Sequence, residues 1–576
     1  MNKLTFKHHA LALAAASLLV GCGGKDAIAE EPAVVVAATD AEDLALKFDA
    51  TKYTTVNITV DGLAVKLRQY RIVYVAKPIK ALLTQSNSTL TDANAYQTMI
   101  VSVPEDKVGD QKAALYFLVN NSGWMASAVS TTITEGKAFV STTDTDNVGA
   151  ALKAGYVFIN VGTRSRGIVA EDGRWMGKAP APVVDAKAAI RYLRLNDTLM
   201  PGSAERIVVT GTSGGGGLTA AVSASGNSAD FLPFLDEIGA AGITGSGAAA
   251  TSTIKDDVFA AVAYCPINNL GNADIGYEFE YSAVRSDKNT GALGGVVYSA
   301  GQQPAASTAI AAKFAAYVSS LNLKADDGSA LTAQGLRDAT QAFVKQEIER
   351  QIAKGTTVPA IGGNFVTTRG GPGGTTTTTL VNDWLTLSGS STTATVAGID
   401  YAKFVNYVAA NQALKTAVAF DPVGVTGNKN ATTGIWNISG ETNLFGPADM
   451  RYANYSEWSW NNNAALGDGS GTDDTGLSFA QYMALSSTTL GKQIKLINPL
   501  AYLNTAADSA PYWYVRHGMV DRDTAFAMQT LLYYAIKSDA SVKDLSFKLP
   551  YLVGHSGNYD VQEAFAWIKA KLDANP

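Results

Sequence analysis

The chain holds 576 residues with a formal net charge of −6, and 47% of them are hydrophobic against 17% charged. Such a composition folds around buried cores rather than staying disordered, and the length points to more than one domain. No basic run could neutralise successive phosphates, which excludes nucleic acid as a partner, and two cysteines make no disulfide framework.

Lys3 and Lys7 precede an apolar run at 10–20 that ends in Leu19-Val20-Gly21-Cys22. This is the anatomy of a secretory signal, and a cysteine after a small residue resembles the bacterial lipobox. It predicts a signal peptide at 1–21, lipidation at Cys22 and a flexible tether over 22–50. The run is too short to span a bilayer as a helix. The expectation is an exported bacterial lipoprotein that meets the membrane through its lipid anchor only. Gly23, in place of an aspartate, points by resemblance to other lipoproteins to the outer membrane or cell surface. Cys265, the other cysteine, closes an apolar strand-like run and reads as a small buried hydrophobe.

From Tyr53 to Cys265, strand and helix signals alternate. Residues 65–75 largely alternate apolar and polar like an antiparallel strand, 114–119 and 156–161 read as doubly buried strands, and 183–195 has helical spacing. The pattern predicts an α/β domain with a mostly parallel sheet flanked by helices. Within it, Gly211-Thr212-Ser213-Gly214-Gly215 is the single G-x-S-x-G of the chain, between a β-branched run at 206–210 and a small-residue helix signal at 218–222. Strand, tight turn and helix in that order make a nucleophile elbow, whose glycines let a strained serine sit close to neighbouring backbone.

After Pro266 the pattern changes. Helices are predicted at 309–321 and 331–353, a low-complexity loop at 367–374 runs into five threonines, and Tyr452, Tyr455, Trp458 and Trp460 form an aromatic cluster. Regular signals resume near Leu496, with a strand leading to Asp521, a helix from Thr524, a strand at 549–553 before His555, and a helix at 561–572. The predicted catalytic domain therefore comprises 51–270 and 497–576. Residues 271–496 are predicted as an inserted lid or substrate-binding domain, with a remote accessory domain as the alternative.

A serine nucleophile needs a base. Of four histidines, His8 and His9 lie in the leader, leaving His517 and His555. Ser213, Asp521 and His555 follow the chain order of α/β-hydrolases, with His555 in a glycine-flanked loop near the C-terminus. His517, four residues before Asp521, stays open as an alternative base. An oxyanion hole needs two donors, assigned to the backbone N–H of Gly214 and one from the loop 120–124, at Gly123. That loop also reads simply as a tight turn.

Several segments together resemble the bacterial tannases, the tannin acyl hydrolases on an α/β-hydrolase fold. They are Asn160 to Gly217, including Gly162-Thr163-Arg164-Ser165-Arg166-Gly167, Trp175-Met176-Gly177-Lys178-Ala179-Pro180-Ala181 and the elbow; Ala263-Tyr264-Cys265-Pro266-Ile267; Arg516-His517-Gly518 with Asp521-Arg522-Asp523-Thr524; and His555-Ser556-Gly557-Asn558-Tyr559-Asp560. In the insertion, 415–421 and 440–446 are similar to the family's substrate-contact segments. The resemblance implies a serine esterase acting on galloyl esters, with a small-molecule or polyphenol ester as substrate. No cofactor or metal is expected, since the sequence shows no convincing ligand cluster. By position it implies that Lys415, Glu441 and Asp523 contact the ring hydroxyls, and it leaves Asp523 as a competitor of Asp521 for the acid role. The chain departs from the family in a longer spacing through 423–438 and in the threonine-rich loop. A feruloyl or general carboxylesterase would use the same three residues. A serine peptidase is a further reading, because His517-Gly518 with Asp521 resembles the acid loop of prolyl-oligopeptidase-like enzymes, and a non-catalytic surface binding protein is another.

Overall fold

A computed structural model of the chain describes residues 41–83, 89–286, 301–371, 374–389, 393–424, 440–466, 469–473, 475–485 and 488–576. The expected signal peptide, Cys22 and most of the expected tether lie outside the described residues, as does most of the long spacing through 423–438.

Among the described residues, ten strands make one sheet: β1 (Thr54–Val60), β2 (Leu63–Val73), β3 (Thr98–Pro104), β4 (Leu115–Val119), β5 (Ala138–Phe139), β6 (Val157–Val161), β7 (Ile207–Thr212), β8 (Ala260–Tyr264), β11 (Tyr512–Arg516) and β12 (Asp544–Lys548). Two further strands, β9 (Asn364–Gly371) and β10 (Gly374–Val381), stand apart from it as a hairpin. The strand order is β12-β11-β8-β7-β4-β6-β3-β2-β1-β5. The run from β12 to β6 is parallel throughout, whereas β6–β3, β3–β2 and β2–β1 are antiparallel. β4, β6 and β8 are buried along their whole length, so both faces are apolar and no alternation is visible in their sequences. β2, near the sheet edge, buries Leu67, Tyr70 and Ile72 and exposes much of the rest.

The helices that position the site are α3 (Ala181–Leu195), α4 (Gly214–Ala224), α8 (Phe526–Ser538) and α9 (Val561–Asp573). Every residue of α4 is buried, which its glycines, alanines and valine permit by offering little side-chain bulk.

Four expectations need correction. The strand placed at 549–553 lies earlier, at β12, because Pro550 has no N–H to give to the ladder; Leu549 is buried and the chain then turns away. The helix placed at 309–321 is two helices, Gln302–Ala311 and Phe314–Ser320. The threonine-rich loop is the β9–β10 hairpin, with Thr367 opposite Thr378 and Thr368 opposite Thr377, since β-branched side chains favour extended backbone. The last part of the expected tether is packed on the fold: Leu46 and Phe48 are buried, Asn196 Oδ1 accepts from the Phe48 N–H, and Asp43 Oδ1 accepts from the Gly242 N–H.

From residue 41 to 576 the described residues form one compact unit. Phe314, Val318 and Leu336 from the segment 271–496 share a core with Ala527, Met528 and Leu531 of α8, and Thr340 hydrogen-bonds Thr530 at 2.9 Å.

Candidate active site

Ser213 sits between the end of β7 and the start of α4 at φ 61°, ψ −121°, a conformation that L-residues rarely adopt. The turn leaves no room for side chains beside it. A Cβ on Gly211 would lie 2.4 Å from the Gly215 carbonyl oxygen, and one on Gly214 would lie 2.2 Å from Trp124 N. The second contact shows how closely the loop after β4 approaches the helix start. The Gly214 N–H is the first of α4, among those with no intrahelical acceptor. Gly123, at φ 57°, lies in the adjoining turn Ser122–Trp124. The structure thus brings together the two glycines expected to serve an oxyanion.

His555 Nε2 is 2.8 Å from Ser213 Oγ, and His555 Nδ1 is 2.8 Å from Asp521 Oδ2. A proton on Nδ1 donated to Asp521 leaves Nε2 free to accept from the serine. Asp521 is fully buried, and its Oδ1 accepts from the Asp523 N–H at 2.8 Å. Burial alone would raise the Asp521 carboxyl, but His555 and His517 beside it hold it down, at about 2. Burial likewise disfavours a charged His555, and the Asp521 carboxylate outweighs it, raising the imidazole well above its ordinary value.

His517 does not reach Ser213. It is buried behind Asp521, with Nδ1 3.3 Å from Asp521 Oδ2, and burial lowers its pKa. Asp523 is the poorer partner for the imidazole, since its Oδ2 is 3.9 Å from His555 Nδ1 and its other oxygen accepts from Arg522.

The His555 loop is pinned at its far end by Asp560. Asp560 Oδ1 accepts from Tyr264 OH at 2.7 Å, and Oδ2 accepts from Tyr514 OH at 2.6 Å and Arg516 Nε at 3.0 Å. Cys265, at the end of β8, donates Sγ–H to the Ser556 carbonyl at 3.0 Å in the same loop. It is buried as expected, and burial raises its pKa.

Of the residues implied as ring contacts, Asp523 stands beside His555, its Oδ2 3.9 Å from Nδ1. Glu441, buried at the start of the turn Glu441–Leu444, lies 3.8 Å from Arg166 Nη2. Lys415 Nζ stands 4.1 Å over the Phe420 ring, its backbone carbonyl accepting from Arg285 and its N–H donating to Tyr277 OH. No hydrogen bond or ion pair joins Lys415, Glu441 and Asp523 to one another among the described residues. Arg166 carries no role in the sequence reading, yet its Nε donates to the Gly123 carbonyl at 2.6 Å and its Nη1 to the Gly440 carbonyl at 2.8 Å. Periodicity gives no sign that this arginine is buried, and the fold shows it at 8% exposure.

The family model described as BD-FAE matches residues 132–246, which include the elbow. Comparison with curated proteins finds no match. Among solved structures, the Fusobacterium nucleatum tannase is 28% identical over 92% of this chain and 99% of its own, with a TM-score of 0.67. The native tannin acyl hydrolase from Lactobacillus plantarum is 26% identical over 92% of this chain and 99% of its own, with a TM-score of 0.66. A tannin acyl hydrolase in complex with ethyl gallate is 26% identical over 91% of this chain and 98% of its own, with a TM-score of 0.67.

The chain is a tannase-like ester hydrolase. Its fold is that of the α/β-hydrolases, with the mostly parallel sheet expected from the sequence. The tannase-like chain spans nearly the whole length of these neighbours, so the segment 271–496 is part of the likeness rather than an addition to it.

Proposed function

We propose that the protein is a serine esterase that hydrolyses galloyl esters, in tannins or simple gallates, through an acyl-enzyme. The observation that carries this reading is the unbroken line from Asp521 through His555 to Ser213, 2.8 Å at each joint. Ser213 Oγ attacks the ester carbonyl carbon while its proton passes to His555 Nε2, and Asp521 holds the imidazole's tautomer and balances its charge. The oxyanion accepts from the N–H groups of Gly214 and Gly123. Collapse breaks the bond to the alcohol, which takes the proton from His555 and leaves the acyl group on Ser213. Water, deprotonated by His555, then attacks the acyl carbon, and the acid departs as the proton returns to Ser213.

The galloyl assignment is supported by the family resemblance and by related tannin acyl hydrolases held in complex with ethyl gallate and with 3,4-dihydroxybenzoate. A ring with adjacent phenols suits Glu441 and Asp523 as acceptors and Lys415 as donor, with the segment 271–496 as the wall that excludes water. Purified protein from residue 23 onward, tested on methyl gallate, methyl ferulate and a peptide anilide, should prefer the gallate. Preference for the ferulate would make it a feruloyl esterase, and cleavage of the anilide alone a peptidase.

The leader motif Leu19-Val20-Gly21-Cys22 supports a second proposal, that Cys22 is lipidated and anchors the protein at the outer membrane or cell surface. No helix among the described residues is long and apolar enough to cross a membrane. Cys22→Ser should abolish lipid labelling and release the protein from the membrane fraction, and an unlabelled, soluble wild type would reject the anchor.

A further inference from the structure

Between the loop after β4 and the turn that carries Glu441 lies a single guanidinium. Arg166 is only 8% exposed, and each edge of its planar fork has a different target. Nε donates to the Gly123 carbonyl at 2.6 Å, Nη1 donates to the Gly440 carbonyl at 2.8 Å, and Nη2 faces Glu441 Oε1 at 3.8 Å. A Cβ added to Gly123 would stand 3.2 Å from Nη2, so guanidinium and glycine are in direct contact.

The backbone on either side grips the same loop. The Arg166 carbonyl accepts from the Ala126 N–H at 3.0 Å, Ser165 Oγ donates to the Trp124 carbonyl at 2.5 Å, and Thr163 Oγ1 donates to Asn121 Oδ1 at 2.9 Å. Those bonds fasten the loop's backbone to the segment after β6. The Arg166 side chain carries the fastening on to Gly440 and Glu441, while the Gly167 N–H donates to Asn443 Oδ1 in the same turn at 2.7 Å. Gly440 and Glu441 are otherwise remote in sequence and belong to the segment 271–496.

We propose that Arg166 is a positioning residue that sets the Gly123 loop for the oxyanion and Glu441 for the acyl ring with one guanidinium. The inference rests on the serine esterase reading above and deepens it. An arginine suits the task because its donors are fixed in a plane and serve two carbonyls while its charge faces a carboxylate; a lysine, with a point charge on a flexible stem, keeps the charge but not the fork. Loss of the fork should therefore damage two separable quantities. Turnover falls for every ester, because the oxyanion donor drifts. Discrimination for a hydroxylated ring falls in addition where the charge beside Glu441 is lost.

The test is steady-state kinetics of Arg166→Lys, Arg166→Gln and Arg166→Ala on p-nitrophenyl acetate, methyl benzoate and methyl gallate. Removing an oxyanion donor outright costs ~10²–10³ in kcat, and displacing one should cost about 10–100-fold on all three esters in all three variants. The gallate-over-benzoate preference should survive better in Arg166→Lys than in Arg166→Gln, through gallate KM. Added guanidinium ion should restore turnover to Arg166→Ala, which a merely structural role does not predict. Folded variants with lowered thermal stability but wild-type kcat on all three esters would overturn the proposal. Should Arg166→Ala fail to fold, the kcat of Arg166→Lys decides it alone. A wild type without gallate preference removes the galloyl reading only: a turnover loss on p-nitrophenyl acetate in Arg166→Lys would still uphold the oxyanion role, and its absence would reject it.

Discussion

His517 and His555 face the same carboxylate oxygen. Asp521 Oδ2 is 2.8 Å from His555 Nδ1 and 3.3 Å from His517 Nδ1, yet only His555 continues to Ser213. His517 makes no aligned hydrogen bond through either ring nitrogen among the described residues, and it packs edge-on against Phe526. The two histidines therefore differ in kind, one at the reacting hydroxyl and one in the apolar wall behind the acid.

That asymmetry predicts different losses. His555→Ala should lower kcat by about 10⁴–10⁶-fold, because members of such a relay act as a unit. His517→Ala should lose far less turnover and should be felt mainly in stability, as a void behind Asp521. Steady-state kinetics of both on methyl gallate, beside thermal unfolding, would separate them. A greater kinetic loss in His517→Ala would mean that the base has been misassigned.

The acid limb of the pH–rate profile should report His555. The imidazole must be neutral to accept the serine proton, and Asp521 raises its pKa well above 6.5. Activity should then be lost as pH falls through that raised value, with an apparent pKa for kcat/KM above that of a free histidine. The stability sign runs the other way: His555 stabilises the fold fully below its unfolded pKa, and that share is lost as pH rises through the raised one. Asp521 stabilises above the ordinary aspartate range and is lost as pH falls through about 2. Asp521→Asn should move the acid limb down while depressing its plateau, and an unmoved limb would detach it from His555.

Ring specificity should respond to Glu441 and Asp523. A site that hydrogen-bonds substrate hydroxyls rejects an analogue without them, by up to ~10⁴, because its own buried groups are left unpaired. Methyl gallate should be cleaved far faster than methyl benzoate, and Glu441→Ala or Asp523→Ala should shrink that ratio by slowing gallate. Equal wild-type efficiencies on the two esters would leave a general carboxylesterase.

Asp560 offers a test remote from the substrate. It binds Tyr264, Tyr514 and Arg516 and so fixes the end of the His555 loop. Asp560→Ala leaves the buried Arg516 with Glu563 as its remaining carboxylate and should destabilise the fold by on the order of 3 kcal/mol. A base displaced by about 1 Å can cost ~10²-fold, so kcat should fall at temperatures where the variant is fully folded. Unchanged kcat there would show that the loop is held elsewhere.

The elbow was legible because its determinants are local: a β-branched strand, glycines where backbone approaches within contact, and a helix of small residues. His555 was legible because few histidines compete. The position of β12 is hidden because the apolar run continues past Pro550, where the ladder cannot. The hairpin was hidden by its repetition, five threonines carrying no apolar alternation. Arg166 and the shared core of 271–496 with α8 depend on contacts between residues far apart in sequence, which periodicity does not record.

Hydrolysis of methyl gallate by wild-type protein and by Ser213→Ala, matched for folding by circular dichroism, tests the central claim most directly. The account predicts gallate release by the wild type and a loss of at least ~10⁴-fold in the variant, the order expected when a relay nucleophile is removed. Release of gallate by Ser213→Ala at the wild-type rate, or a wild type that leaves methyl gallate intact, would contradict it.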